Sequence, residues 1–346
     1  MHLRVLLASA LIALAVSAAA NPRQEFNEAY RAYGAAIEQG QYVDAVASAR
    51  DALRLAREIM DDDSPEVAIL AFNHGYALAK AGRVHDAYRA LIEAHRLVGK
   101  AFGANAAELI QVELELAHTA QPEPAVNHLK RALELAGTHH GEDSEFVADL
   151  KVEAATRIWR EGGLELLVEA ADAYQGLGKT DKYVLAQYWL GKRHFDDGRR
   201  AEAIAPMTAV VEGQSDDELV LMARRILVEA LEHEGRRDRA TEHCLAIGSA
   251  AMWTGVEAYE PLYERDPVYP EEKRANAVEG SVLLEFTVDA EGYVQNPLVV
   301  SSVGGPEFVA PALAAITGFR YAPRFEDGAP VPVAGVRHRI VFSLRD

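Results

Sequence analysis

The sequence predicts a multidomain chain: a signal peptide, an α-solenoid of helix-turn-helix repeats, and a small α+β domain with a three-stranded antiparallel sheet. An apolar run fills most of the first 20 residues. Apolar residues then recur at helical spacing from Phe26 to about Ile247, and apolar and polar residues alternate from Ser281 to Asp289. The predicted domains are the signal peptide at 1–20, the repeats at 21–250, a linker at 251–266 and the C-terminal domain at 267–346.

The composition is that of a soluble protein with a large core, since 49% of the 346 residues are hydrophobic and 25% are charged. A formal net charge of −18 argues against nucleic acid as a partner. The acidity is typical of a solvated surface, and a basic partner is the alternative interpretation. Cys244 is the only cysteine, so an intrachain disulfide is excluded and a buried thiol is expected.

The N-terminus has the layout of a secretory signal peptide. Arg4 supplies a positive charge, an apolar run extends from Val5 to Val16, and alanines at 18–20 provide a small-residue cleavage site. Cleavage is expected after about Ala20. An uncleaved membrane anchor is the alternative, but the 16 residues from Val5 to Ala20 are fewer than the ~20 that a spanning helix needs.

Turn glycines divide the helical region into paired-helix repeats. Each glycine is followed five residues later by an alanine, and such recurrence is typical of stacked helical hairpins. The pairs are Gly40 and Ala45, Gly82 and Ala87, Gly198 and Ala203, and Gly235 and Ala240. The glycine lets the chain reverse between two helices, and the alanine lets the partner helix approach closely.

The second repeat has small and packing residues at Gly75, Gly82, Ala87, Leu91 and Ala94. This set resembles a tetratricopeptide repeat. Stacked repeats of this kind leave a concave face, which usually binds a peptide or a partner domain. Candidates for that face, with a core position as the alternative, are Tyr174, Tyr188, Trp189 and His194.

A run of three aspartates at 61–63 precedes the third predicted helix. Ser64 is suited to cap that helix, Pro65 to occupy its first position, and Glu66 to face its positive end. A cation site at the aspartates is the sharper alternative. Because capping explains the run without a metal, no metal site is predicted.

The sequence predicts neither an enzyme nor a cofactor. It contains no nucleotide-binding glycine loop, no paired-cysteine metal spacing and no nucleophile elbow. The segment from His139 to Asp143 falls at an expected inter-helix loop. His233, His243 and Cys244 could converge from neighbouring helices, but Cys244 occupies a packing position and is interpreted as a core thiol.

The last eighty residues predict a sheet and its strand order. Ser281–Asp289, Tyr293–Ser302 and Val336–Leu344 are the strands, with a helix at Glu307–Thr317. A helix-containing crossover makes the second and third strands parallel, so a central first strand makes both neighbouring pairs antiparallel. Pro297 agrees, because proline lacks the ladder N–H and belongs on an edge. The last strand is then the opposite edge, with unpaired backbone groups unless something covers it.

Short motifs in a fixed order support a family resemblance for the same segment. They are Pro267–Pro270 with its Tyr-Pro pair, Gly280–Asp289, Gly292–Val294, Phe308, Phe319–Pro323, Gly328–Val331 and the final strand through Phe342. Together they resemble the C-terminal domain of TonB-family energy transducers, over about residues 259–346.

In that family the last strand pairs with a short segment of an outer-membrane TonB-dependent receptor. The resemblance implies that a partner strand adds to this edge. Arg337 and Arg339 are expected to point away from the core, where they select charge in the partner or oppose aggregation. The implied partner-strand residues are Val336, Arg337, His338, Arg339, Ile340, Val341 and Phe342, with auxiliary residues Pro270, Glu271 and Arg274.

Two functions are consistent with these observations. The first is a periplasmic TonB-family protein that binds receptor or other partner peptides by strand addition, linked to energy-dependent transport across the outer membrane. The second is a soluble periplasmic repeat scaffold without energy transduction. Family transducers carry a membrane helix and a proline-rich spacer, whereas this chain has a short apolar segment and a repeat array. That difference argues against inner-membrane motor proteins as partners, although an inner-membrane anchor facing the periplasm is the alternative location.

Overall fold

The computed structural model describes residues 20–157, 162–213, 217–250 and 259–344. The chain divides into two compact units, Met1–Ala173 and Tyr174–Asp346. The expected signal peptide lies outside the described residues except for Ala20, and so do residues 251–258 of the expected linker. Within the described ranges, paired helices are followed by a small antiparallel sheet, which confirms this part of the predicted fold class.

The first unit is built from consecutive helices that pack in pairs. Gly40 and Gly82 connect paired helices with φ of +69° and +75°, a left-handed conformation that glycine adopts without steric cost. The helices are α1 (Ala20–Glu38), α2 (Tyr42–Ile59), α3 (Pro65–Lys80), α4 (Val84–Phe102), α5 (Glu108–Thr119), α6 (Pro122–His140), α7 (Glu145–Arg157) and α8 (Gly163–Gly176), which crosses the boundary between the units. Helix α1 packs on α2, α3 on α4 and α5 on α6.

The aspartate run before α3 is part of a capped loop. Ser64 accepts a hydrogen bond at 3.3 Å from the backbone N–H of Val67, and Pro65 is the first helical residue. Asp61 accepts the N–H of Asp63 at 3.0 Å, and Asp63 pairs with Lys100. The capping interpretation is therefore confirmed. The Lys100 ammonium group already faces the aspartates.

The small residues of the second repeat lie in the contact between α3 and α4. Ala87, Leu91 and Ala94 are fully buried. A Cβ added at Gly75 would lie only 2.8 Å from two carbons of the Leu91 side chain. The glycine therefore allows the two helices to approach, as its position in the sequence predicted.

The second unit begins with two further helical pairs. Their helices are α9 (Thr180–Asp196), α10 (Arg200–Gly213), α11 (Asp217–His233) and α12 (Arg237–Ser249). Gly198 and Gly235 close these pairs with φ of +76° and +70°. Val184, Met207 and Leu227 are fully buried between the helices. The predicted turn glycines and packing positions thus recur in this unit.

The second unit ends in a three-stranded antiparallel sheet with strand order β2-β1-β5. This order confirms the prediction that the first strand is central. The elements are α13 (Glu271–Ala275), β1 (Gly280–Val288), β2 (Val294–Val303), a 3₁₀ turn (Pro306–Phe308), α14 (Val309–Ile316), β3 (Arg324–Glu326), β4 (Ala329–Val331) and β5 (Val333–Phe342).

The ends of β1 and β2 lie within one residue of the prediction, and two other features of the sheet differ from it more widely. Strand β5 begins at Val333 and ends at Phe342, whereas Val336–Leu344 was expected. Its first residues pair with β1 through a register shift, and Gly335 has a φ of +74°, so period-2 alternation could not reveal them. The second sheet, β3–β4, was not expected. It is closed by Asp327 and Gly328, whose positive φ values suit a tight hairpin.

One face of the three-stranded sheet forms the core of the C-terminal domain. Val282, Leu284, Phe286 and Val288 of β1 are buried there. The packing partners from other elements include Phe308, Ala312, Ile316, Ile340 and Phe342. None of the helices in the described ranges is long and apolar enough to cross a membrane.

Candidate functional site

Strand β5 presents a regular open edge. From Phe342 to Val336 it pairs residue by residue with Gly280 to Phe286 of β1, without a shift. Among the described residues, β1 is the only strand that pairs with β5. Because an antiparallel strand alternates its backbone groups between its two sides, the outer side keeps a row of N–H and C=O groups that a further strand could pair with.

The side chains of this segment alternate between the core and solvent. Val336, Ile340 and Phe342 are buried. His338 shares their face and is half-buried, with its ring edge-on to Phe319 at 5.2 Å between centroids. Burial lowers the pKa of His338. It therefore lies at the edge of the core.

The exposed face carries two arginines in different electrostatic states. Arg337 forms an ion pair with Glu285 on β1 at 2.7 Å. Arg339 donates to the hydroxyl of Ser281 at 3.2 Å, and within the described residues it has no ion pair. Val341, the next outward residue, is 60% exposed. A partner strand would thus meet one compensated cation, one uncompensated cation and an apolar side chain.

The opposite edge of the sheet is less regular. The pairing of β2 with β1 shifts register twice, between Leu283 and Leu284 and between Glu285 and Thr287. Asn296 has a φ of +50°, and Pro297 has no N–H to offer. Bulges and proline on an edge strand impede further pairing. Strand β5 is therefore the edge better suited to a partner.

The auxiliary residues lie in the segment that precedes the sheet. Pro270 comes directly before α13, while Glu271 and Arg274 are exposed on that helix. Among the described residues, neither Glu271 nor Arg274 forms a hydrogen bond or ion pair with β5. The connection to β5 is made by Tyr269, whose ring packs 5.7 Å from that of Phe342.

A buried arginine that sequence reasoning missed joins the C-terminal domain to α11 and α12. Arg320 is 1% exposed. Its guanidinium pairs with Glu232, donates to Thr241 Oγ1 at 2.8 Å, and lies 3.7 Å from the ring centroid of Tyr293. The sequence placed this residue in the Phe319–Pro323 motif but contained no signal for its partners.

The candidate cluster on α11 and α12 is not a joint site. Cys244 is fully buried, and burial raises the pKa of its thiol to about 11. His243 contacts Arg224 at 3.1 Å, whereas His233 contacts the neighbouring Glu234. In the described part of the chain, no three His, Cys, Asp or Glu side chains are grouped so that they could hold a metal ion.

Residues expected in loops or on the concave face have ordinary packing roles. His139, expected in a loop, lies in the last turn of α6, and its ring contacts the backbone carbonyl of Asn105 at 2.7 Å. Tyr174 and Tyr188 are buried, and Trp189 packs edge-on against Tyr188 with 5.6 Å between ring centroids. These aromatic residues belong to the core, the alternative that the sequence left open.

The C-terminal domain matches a known family. Residues 265–344 match the family model for the Gram-negative bacterial TonB protein C-terminal. This segment is thus a TonB C-terminal-like domain that follows helical repeats. No curated protein matches the chain.

Solved structures similar to this chain contain helical repeats. The nearly identical TPR-like repeats of a Podosopora anserina protein share 17% identity, with 56% of this chain and 94% of that chain covered and a TM-score of 0.48. YrrB, a TPR protein with an unusual peptide-binding site, shares 18% identity over 60% of this chain and 100% of that chain, with a TM-score of 0.42. The repeats of this chain are evident from its own paired helices.

Proposed function

We propose that this protein binds an extended peptide segment of a partner protein by adding it as a fourth strand beside β5. The observation that carries the proposal is the regular, open edge from Val336 to Phe342, within a segment that matches the TonB C-terminal family. Backbone hydrogen bonds to an added strand supply affinity, and the alternating side chains supply selectivity. The role is binding rather than catalysis and requires no cofactor.

The proposed partner is a segment of an outer-membrane TonB-dependent receptor, with a link to energy-dependent transport. The uncompensated charge of Arg339 favours an acidic residue opposite it, whereas Arg337 already has Glu285. Ile340 and Phe342 are buried at the strand, so an apolar residue in the partner can continue that row. A seven-residue extended segment matches the unshifted part of β5.

The proposed location is the periplasm, after cleavage of residues 1–20. An inner-membrane anchor facing the periplasm is the alternative. Fractionation of cells that express the full chain, with mass spectrometry of its N-terminus, distinguishes them. A mature N-terminus near Asn21 in the soluble periplasmic fraction supports cleavage, and retention of residues 1–20 in the inner membrane supports the anchor.

A second candidate function is a soluble periplasmic adaptor without energy transduction. The buried contact of Arg320 with Glu232 favours it, because it joins the C-terminal domain to repeat helices where a transducer carries a long spacer. Strand addition is common to both candidates. They differ in whether receptor-dependent uptake requires this protein and the proton gradient.

Backbone methylation of the partner tests strand addition. The probe is a panel of seven-residue peptides taken from outer-membrane TonB-dependent receptors, titrated against the full-length protein. The tightest binder is then remade with a single N-methyl group at each position in turn. N-methylation removes one backbone donor and leaves the side chains in place.

Strand addition predicts an alternating pattern along the peptide. Methylation of amides that face β5 lowers affinity at least about tenfold, because a hydrogen bond is lost and the methyl group blocks approach. Methylation of the intervening amides, the matched controls, changes affinity by less than about threefold. Absence of binding across the panel, or sensitivity without alternation, would contradict the proposal.

A further inference from the structure

The backbone of Arg320 is held between the C-terminal domain and the residues that directly precede it. Its carbonyl accepts the N–H of Leu262 at 2.7 Å, and its own N–H donates to the carbonyl of Tyr263 at 3.0 Å. The next residue, Tyr321, donates to Gly292 at 2.9 Å. The domain therefore fixes where the Arg320 side chain begins, and that side chain then extends to two helices of the repeat array.

The Arg320 guanidinium and the Glu232 carboxylate form a buried ion pair. Glu232 lies on α11, and its side chain is 3% exposed. Arg320 also donates to Thr241 on α12 at 2.8 Å and to the carbonyl of Glu291 at 3.0 Å. A second cation, Arg237, lies 3.6 Å from the other oxygen of Glu232. Breaking one side of such a pair is costly, because the other charge is left without its partner in a dry site.

Apolar contacts join the same elements, and one of their members, Cys244, lies 3.7 Å from the Arg320 guanidinium. Val228, Cys244 and Ile247 of α11 and α12 form one buried cluster with Leu262 and Ala322 of the C-terminal segment.

Gly248 lies against Pro323 so closely that an added Cβ would collide with the Pro323 carbonyl oxygen. The side of α12 that carries Gly248 is therefore in close packing contact with the domain.

We propose that α11 and α12 dock against the TonB C-terminal-like domain as part of one strand-binding module. Arg320 locks the two helices to that domain. The module then extends well beyond the family match at 265–344. The docking stands whether or not β5 accepts a partner strand.

A double-mutant cycle on the full-length protein tests the docking. The single variants are Arg320→Met and Glu232→Met, and the double variant carries both. Hydrogen–deuterium exchange with mass spectrometry reports on α12 and, separately, on residues 319–323. Arg324→Met is the matched control, since this arginine lies in the same segment with its side chain 55% exposed.

Docking predicts coupled effects on both sides of the contact. Each single variant leaves a buried charge without its main partner, because Glu232 then keeps only the 3.6 Å contact with Arg237 and Arg320 keeps only neutral acceptors. Amide exchange therefore rises at least about 30-fold in α12 and in residues 319–323 alike. In the double variant both charges are gone, and exchange returns to within about tenfold of wild type. Arg324→Met leaves both regions unchanged.

Two results would overturn the proposal. One is additivity, in which the double variant exchanges as fast as the product of the two single effects predicts. The other is an increase confined to one side of the contact. If a methionine variant does not fold, the milder Arg320→Lys and Glu232→Gln variants replace it, and the same two-sided rise is required.

Discussion

Alanine at Gly75 tests how the repeat helices approach each other. An added Cβ would lie 2.8 Å from Cγ and Cδ2 of Leu91 and 3.2 Å from its backbone nitrogen. Leu91 is fully buried, so it cannot swing into solvent. Overpacking of this kind costs ~1–3 kcal/mol, whereas alanine in a helix gains up to ~1 kcal/mol over glycine.

Gly99 of α4 is the matched control, because no described heavy atom lies within 4 Å of a Cβ added there. Gly99→Ala should show the helix-propensity gain, whereas in Gly75→Ala the overpacking against Leu91 should more than offset it. We expect a difference of about 2 kcal/mol between the two variants, which corresponds to roughly 30-fold in local opening.

Native-state hydrogen exchange of α3 and α4 measures this difference directly. It is preferable to a single melting temperature, because a chain with two compact units need not unfold in one step. Equal protection in the Gly75 and Gly99 variants would refute the packing argument.

Three other perturbations test particular contacts. Hydrogen bonds donated by the His118 ring to the carboxylates of Glu115 and Glu153 raise the pKa of His118 from 6.5 to about 9. The stability that this charged ring contributes is therefore complete below pH 6.5 and is lost as pH rises through 9. We expect the wild-type protein to lose about 2 kcal/mol of stability between those pH values and His118→Gln to show no such loss. Hydrogen exchange in α5 measures the difference. The buried Cys244 thiol, whose pKa is raised to about 11, should react with a thiol reagent at pH 8 at least 100-fold more slowly in the folded protein than in urea; equal rates would contradict its burial. Arg339→Gln should weaken binding of an acidic peptide about two- to fivefold in low salt, and Arg337→Gln should weaken it less, because Glu285 already compensates that charge; equal losses in titrations would refute the distinction.

Local rules predicted much of the fold. Turn glycines and small residues at fixed spacing identified the helical hairpins, because backbone reversal and close approach restrict those positions to small side chains. Pro297 and the crossover were sufficient to place the first strand in the middle of the sheet. The β3–β4 hairpin was missed although Asp327 and Gly328 carry its turn signal.

The docking contact could not be predicted from the sequence. Phe319 and Tyr321 are 2% and 0% exposed. Because Arg320 stands between these two aromatic residues in the sequence, its burial was predictable. Its partner was not, because Glu232 is 88 residues away and the chain has 53 acidic residues. Periodicity describes single elements and carries no information on which distant carboxylate meets a given arginine.

The open edge of β5 is tested most directly by amide exchange resolved residue by residue. NMR of the full-length protein would follow residues 336–342 with and without the tightest receptor peptide at saturation. Strand addition predicts that every second amide, the set facing away from β1, is weakly protected in the free protein and gains at least tenfold protection with peptide. Unchanged protection along β5, with new protection confined to the repeat helices, would contradict the account.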